Sequence, residues 1–164
     1  MSLALHVFDT LDAVSPAEWN RLARGNPTLA YEFLDTLHRS GCASEATGWK
    51  PQYLVLRDGE ELAGAVPLYL KAHSYGEYVF DWAWAEAHER HGIAYYPKFL
   101  AAVPFTPATG ARVLARDAEA RRMLAAALPE LARKAGVSSL HVLFPDEEDA
   151  SALRETGMLE RTGV

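Results

Sequence analysis

A chain of 164 residues, 49% apolar and 23% charged, is long enough for one folded domain with a full hydrophobic core and too apolar to stay disordered. Its net charge of −6 excludes the clustered Lys and Arg of a dedicated duplex DNA or RNA binder, while leaving room for a small anionic ligand held locally. Cys42 is the single cysteine, so no intrachain disulfide can form; a reducing cytoplasm is the simplest setting, and the absence of a basic neighbour makes Cys42 structural rather than nucleophilic.

The start, MSLALHVFD, lacks the basic region and long apolar run of a signal peptide, and no stretch is long enough to insert into a membrane. Leu3 to Phe8 reads as a strand. Ser15-Pro16-Ala17-Glu18 opens a helix, with Ser as cap, Pro at the first position and Glu18 closing a capping box. Trp19, Leu22 and Ala23 form its inner face, and Asn26-Pro27 breaks it. A second helix runs from about Thr28 to Ser40, with Leu29, Phe33, Leu34 and Leu37 on one face and Gly41 as its stop. Pro51 to Arg57 is a strand with Tyr53 and Val55 opposite Leu54 and Leu56. Asp58-Gly59 turns it into a partner strand, Glu61 to His73, which Pro67 must bulge or place beside an edge.

About Asp81 to His91 is helical. Lys98 to Val103 is a strand and Ala111 to Ala115 a short one. Asp117 caps a long helix to about Ala135, which Pro129 should kink and Gly136 stops. Ser138 to Phe144 reads as a buried strand, Pro145-Asp146 opens a last helix ending at Gly157, and Met158 to Val164 begins another strand. Helices alternating with strands in the second half predict an α/β fold with a mixed sheet. A closing strand with nothing after it leaves an open sheet edge, able to pair with another chain.

Three stretches offer chemistry. In VPFTPATGAR, Thr106, Thr109 and Arg112 could grip a phosphate or carboxylate, Arg112 in bidentate fashion; alternatively the prolines and Gly110 shape a connection. In HSYGEYVFDWAWAEAHERHG, the aromatics Tyr75, Tyr78 and Trp82 with the carboxylates Glu77 and Asp81 could line a groove for sugar and peptide. Glu77 or Asp81 could act as a general base there, or the segment could be an aromatic plug whose carboxylates cap a helix. His88 and His91 share a helix face but lack a third ligand, so no metal site is expected. Tyr96 and Lys98 precede or open a strand; Lys98 could meet an anionic ligand or guard a sheet edge. His141 reads as a core histidine.

The order of elements resembles the acetyltransferase fold of the GNAT superfamily. The segments LAGAVPLYLKAHSYGEYVFDWAWA, YYPKFLAAVPFTPATGAR and LHVLFPDEEDASALRETG carry a closer resemblance, to the FemAB-like family. That resemblance implies a GNAT-like mixed sheet flanked by helices. It also implies a single domain over 1–164, similar to the N-terminal half of proteins that carry two such domains in tandem. Its better-known members transfer an amino acid from aminoacyl-tRNA to a peptidoglycan precursor. The implied function is thus a transferase half that binds the acceptor, with its own C-terminal half as partner and aminoacyl-tRNA or acetyl-CoA as donor to the whole. Two alternatives are a binding module without catalysis and a complete acetyl-CoA-dependent N-acetyltransferase. One departure bears on the donor. The usual Gln/Arg-x-x-Gly-x-Gly/Ala loop before the long helix is replaced by TPATGARVLARDAEARR, with one glycine and an acidic cap.

Overall fold

The computed structural model describes residues 3–79 and 81–162. Strand β1 (Leu3–Phe8) is followed by helices α1 (Pro16–Ala23) and α2 (Tyr31–Arg39), strands β2 (Trp49–Pro51), β3 (Tyr53–Asp58), β4 (Glu61–Val66) and β5 (Leu68–Lys71), and helix α3 (Trp82–Arg90). Then come β6 (Lys98–Ala101), β7 (Leu114–Ala115), α4 (Ala118–Ala135), β8 (Leu140–Val142) and α5 (Glu147–Arg154). The strands form two four-stranded sheets, β1-β3-β4-β7 and β2-β5-β6-β8. Every pairing is antiparallel except β6 with β8. This is the mixed, GNAT-like α/β arrangement that the resemblance implies.

Both faces of β3 are buried, as its alternation predicts. Tyr53 and Val55 join Trp19, Leu29, Leu34, Trp49 and Tyr69 in one core under α1 and α2. Leu54 and Leu56 join Leu124, Ala125, Leu128 and Leu153 in a second core under α4 and α5. Gly64 lets α4 settle close on β4, since a Cβ there would stand 2.6 Å from Leu124 Cδ1 and 2.9 Å from the Leu114 carbonyl.

Punctuation residues act mostly as read. Asp117 Oδ1 accepts from the Ala120 amide at 2.8 Å and Asp146 Oδ1 from the Asp149 amide at 3.0 Å. Gly136 ends α4 with φ 66°, and Pro129 lies inside that helix without ending it. Three expectations are corrected. The capping box at Ser15 does not form; Glu18 reaches across to accept the Leu62 amide at 3.0 Å and so fastens α1 to the start of β4. The second helix starts later than expected, because Pro27–Leu29 make a separate 3₁₀ turn whose entry Asn26 caps. Cys42, read as structural, is exposed. Residues 158–162 carry no strand, and 163 and 164 lie outside the described residues, so the described chain does not provide the expected terminal edge.

Pro67 has a larger effect than a bulge. Lacking an N–H, it divides the expected long strand into β4 and β5, which belong to different sheets. The neighbouring path is divided too. Leu68 pairs with Ala101 while Ala65 pairs with Leu114, so two intervening residues on one side face twelve on the other. The surplus is a loop between β6 and β7, and it contains the Thr-Pro-Ala-Thr-Gly stretch. A second, longer excursion fills residues 72–97 between the register partners Lys71 and Lys98.

Candidate functional site

The 72–97 excursion is held to the sheet by polar groups. Among its described residues from 72 to 94, only Ser74, Glu77 and Asp81 are buried, and α3 contributes no buried residue; Val79 rests half-buried on the core. All three buried groups converge on one ammonium. Lys98 Nζ donates to Ser74 Oγ at 2.9 Å, to Glu77 Oε2 at 2.8 Å and to Asp81 Oδ2 at 2.5 Å. Lys98 is fully buried on β6, an inner strand, so the edge-guarding role is overturned. Its register partner Lys71 is equally buried. Lys71 Nζ lies 3.6 Å from the centre of the Trp49 ring, 3.2 Å from the Tyr75 carbonyl and 4.0 Å from Glu77 Oε1. Tyr95 OH donates to Asp81 Oδ2 at 2.7 Å, and Tyr96 OH meets Ser74 Oγ at 2.8 Å.

Burial sets the proton affinities here, and neighbours modify it. It pulls Lys71 down to about 7, against the resistance of Glu77 and with help from Lys98. Glu77 is pushed above the usual carboxylate range by burial, against the hydrogen bond from Lys98. For Asp81 burial pushes upward as well, but hydrogen bonds from Lys98 and Tyr95, with the Ser74 hydroxyl nearby, hold it below the ordinary value. His141 sits on β8 beside this group, with Nε2 3.1 Å from Ser139 Oγ and 3.5 Å from Tyr95 OH. Burial, with Lys98 nearby, lowers it to about 4. A group of two buried cations and two buried carboxylates is tolerable only because each charge faces its opposite. Neither carboxylate is open to an attacking amine from solvent, since Glu77 and Asp81 are both 3% exposed. Two of their oxygens, Glu77 Oε1 and Asp81 Oδ1, have no hydrogen-bond partner.

The outer surface of the same excursion is aromatic. Tyr75 is 65% exposed, Tyr78 57% and Trp82 45%, and the Tyr75 and Trp82 rings meet edge to face at 5.2 Å. Phe105, from the loop between β6 and β7, extends this surface. Its ring lies 5.3 Å from Trp49, and a Cβ on Gly76 would approach it to 2.7 Å, so glycine there lets the two excursions touch. Tyr78 and Phe105 both hold φ near 59°, a region that costs a bulky side chain energy and that clusters at functional positions.

The Thr-Pro-Ala-Thr-Gly loop is mainly a built connection. Arg112 is 1% exposed, and its guanidinium donates to the backbone carbonyls of Leu143, Ala111 and Ala108. Its own amide and that of Val113 donate to Asp149 Oδ2, while Arg121 Nε donates to Asp149 Oδ1 at 2.9 Å. Arg112 therefore clamps the loop and does not present a fork to solvent. Thr106 is half-buried and donates to the Pro104 carbonyl; Thr109 is exposed. His88 packs its ring against Tyr95 at 5.1 Å, and among the described residues no three His, Cys, Asp or Glu are grouped as for a metal.

Acetyl-CoA does not fit the start of the long helix. Pyrophosphate needs free N–H groups there, but the Asp117 carboxylate holds the Ala120 amide and puts a negative charge at that end. The adjacent Arg116 is engaged with Asp58, Glu61 and Asp117. Beyond the paired part of β6 and β8, the chain itself closes the gap, with the Gly110 amide donating to Phe144 and the Asp146 amide to Gly110, each at 3.0 Å. The structure thus brings Tyr75, Glu77, Trp82, Tyr96 and Lys98 to one locus, with Tyr78 beside them in the chain, and sets Thr106, Thr109 and Arg112 on the adjoining loop. Sequence reasoning missed Lys71, Ser74, Tyr95 and Phe105. The one signal for Lys71 was a lone cation ending an otherwise uncharged strand.

Comparison with known proteins agrees with this architecture. No helix among the described residues is long and apolar enough to cross a membrane. No curated protein matches the sequence. The crystal structure of TTHA1254 from Thermus thermophilus is similar, with a TM-score of 0.55 at 18% identity over 98% of this chain and 92% of that one, which speaks for the fold alone. The model of the FemAB-like family, described as peptidoglycan biosynthesis/recognition, matches residues 10–164. With that match spanning nearly the whole sequence, the chain belongs to the FemAB-like family.

Proposed function

We propose that this chain recognises a peptidoglycan precursor, the acceptor side of the family's chemistry, on the aromatic surface formed by Tyr75, Tyr78, Trp82 and Phe105. The observation that carries the reading is that Tyr75, Tyr78 and Trp82 stand exposed on a segment that Lys98 pins from beneath, with Phe105 exposed on the adjoining loop. Exposed rings held in place suit the apolar faces of sugars and lose little entropy on binding. Glu77 and Asp81 serve to position the segment; their burial and pairing with Lys98 speak against a general base. The misfit to acetyl-CoA speaks against a complete N-acetyltransferase and favours a binding role for this chain. Any acyl donor, aminoacyl-tRNA included, would then be held by other groups.

Calorimetric titration with a muramyl-pentapeptide precursor tests this. Saturable binding is expected, weakened at least about tenfold by Trp82→Ala. Because Trp82 is 45% exposed, that variant should keep its stability within about 0.5 kcal/mol. Binding that Trp82→Ala and Tyr75→Ala leave unchanged would sink the proposal.

A further inference from the structure

We propose that Lys71 and Lys98 form a latent anion site, filled in this structure by the chain's own Glu77 and Asp81, and that a ligand with two anionic groups displaces those carboxylates and lifts residues 72–94, leaving Tyr95 and Tyr96 with the sheet. The proposal rests on the reading of this segment as the recognition element.

The charge arrangement carries it. Lys71 and Lys98 are register partners on β5 and β6, so adjacent strands of the sheet place two ammonium groups together. Tyr95 and Tyr96, immediately before β6, aim their hydroxyls at the same cluster, Tyr95 at Asp81 and Tyr96 at Ser74. Four donors thus converge from the sheet side. Both paired carboxylates come from the excursion, at 2.8 Å and 2.5 Å from Lys98. The excursion acts as a tethered substitute for a ligand.

The fit of that substitute is incomplete. Glu77 Oε1 and Asp81 Oδ1 are buried without a hydrogen-bond partner, and Lys71 Nζ has one hydrogen bond, to a carbonyl, with its carboxylate 4.0 Å away. A half-satisfied buried network is the kind that a better-matched anion can outcompete. The mechanical side also allows it. Ala72, and residues 91–94 at the far end, are exposed, and the described residues between carry no fully buried apolar side chain. Lifting the segment therefore breaks polar contacts and the half-buried packing of Val79, while the fully buried apolar residues of both cores stay in place.

The ligand chemistry is a pair of carboxylates or a phosphate-type dianion, and the test separates them. Inorganic pyrophosphate and succinate are titrated in parallel into wild type, Asp81→Asn, Lys71→Met and Trp82→Ala. Asp81→Asn weakens the internal competitor and should raise affinity for one or both probes at least tenfold; Lys71→Met should abolish binding. Hydrogen exchange on the wild-type protein avoids dependence on a variant that folds poorly. Saturating probe should speed amide exchange across residues 74–92 and leave α4 unchanged. A probe affinity equal in wild type and a folded Asp81→Asn, or exchange over 74–92 unmoved by either probe at millimolar concentration, would overturn the inference. Trp82→Ala separates the two proposals, because it should lose the muramyl peptide and keep the anion.

Discussion

Asp149 and Asp81 are both buried carboxylates facing a cation, yet their surroundings differ. Asp149 accepts two backbone amides, from Arg112 and Val113, together with Arg121 Nε. It ties α5 to α4 and the returning loop, and Val113, whose amide it accepts, belongs to the second apolar core. Asp81 accepts only side-chain donors, Lys98 and Tyr95, and its second oxygen has none. It anchors a segment whose helix buries nothing. One ionic cluster is built into a core, and the other fastens a cover. The difference teaches that burial alone does not measure what a charge pair holds together; the apolar packing around the pair does.

Removing each anchor tests that contrast. Asp149→Ala takes the acceptor from two buried amides and from Arg121 Nε, leaving Arg121 only its pair with the exposed Glu148. It should cost about 3–5 kcal/mol in chemical denaturation, and a loss below 1 kcal/mol would break the comparison. On the other side of the contrast, His141 makes the covered cluster acid-sensitive. Its value is about 4 in the folded protein against 6.5 ordinarily, so the unfolded chain takes up a proton first as pH falls. Stability should therefore fall from pH 6.5 toward 4, by roughly 2–3 kcal/mol at most. His141→Phe should flatten that window, and an equally steep profile in the variant would assign the slope elsewhere. Lys98→Met should cost least, about 1–2 kcal/mol globally, because Glu77 and Asp81 can swing out to water as the segment lifts. Its amides between 74 and 92 should nonetheless lose most of their exchange protection. A global loss as large as that of Asp149→Ala would show that the cover belongs to the cooperative core.

Much of this fold was legible in local punctuation. Asp58-Gly59, Asp117, Gly136 and Pro145-Asp146 mark turns and caps because their side chains or φ angles act within a few residues. What escaped depends on distant partners. Glu18 has the spacing of a capping box, but the Leu62 amide, far along the chain, takes its carboxylate. Lys98 reads as exposed because a buried cation is expensive. Only Glu77 and Asp81, folded back from the excursion, make its burial tolerable. Arg112 reads as a ligand grip because its carbonyl acceptors, such as that of Leu143, come from a strand end the sequence does not place beside it. The aromatic and acidic composition of the excursion was visible. The division into rings outside and carboxylates inside was not.

The pairing of Lys71 with Lys98 has a consequence for how freely the segment between them can vary. Residues 72–97 leave the sheet and return to it at facing positions, so the excursion is an insert across a hairpin whose ends are already joined. Lengthening or exchanging such an insert adds little closure cost and leaves the register of β5 and β6 intact. The segment can therefore vary without disturbing the strands that carry it, and a short turn in its place should yield a minimal domain that still folds.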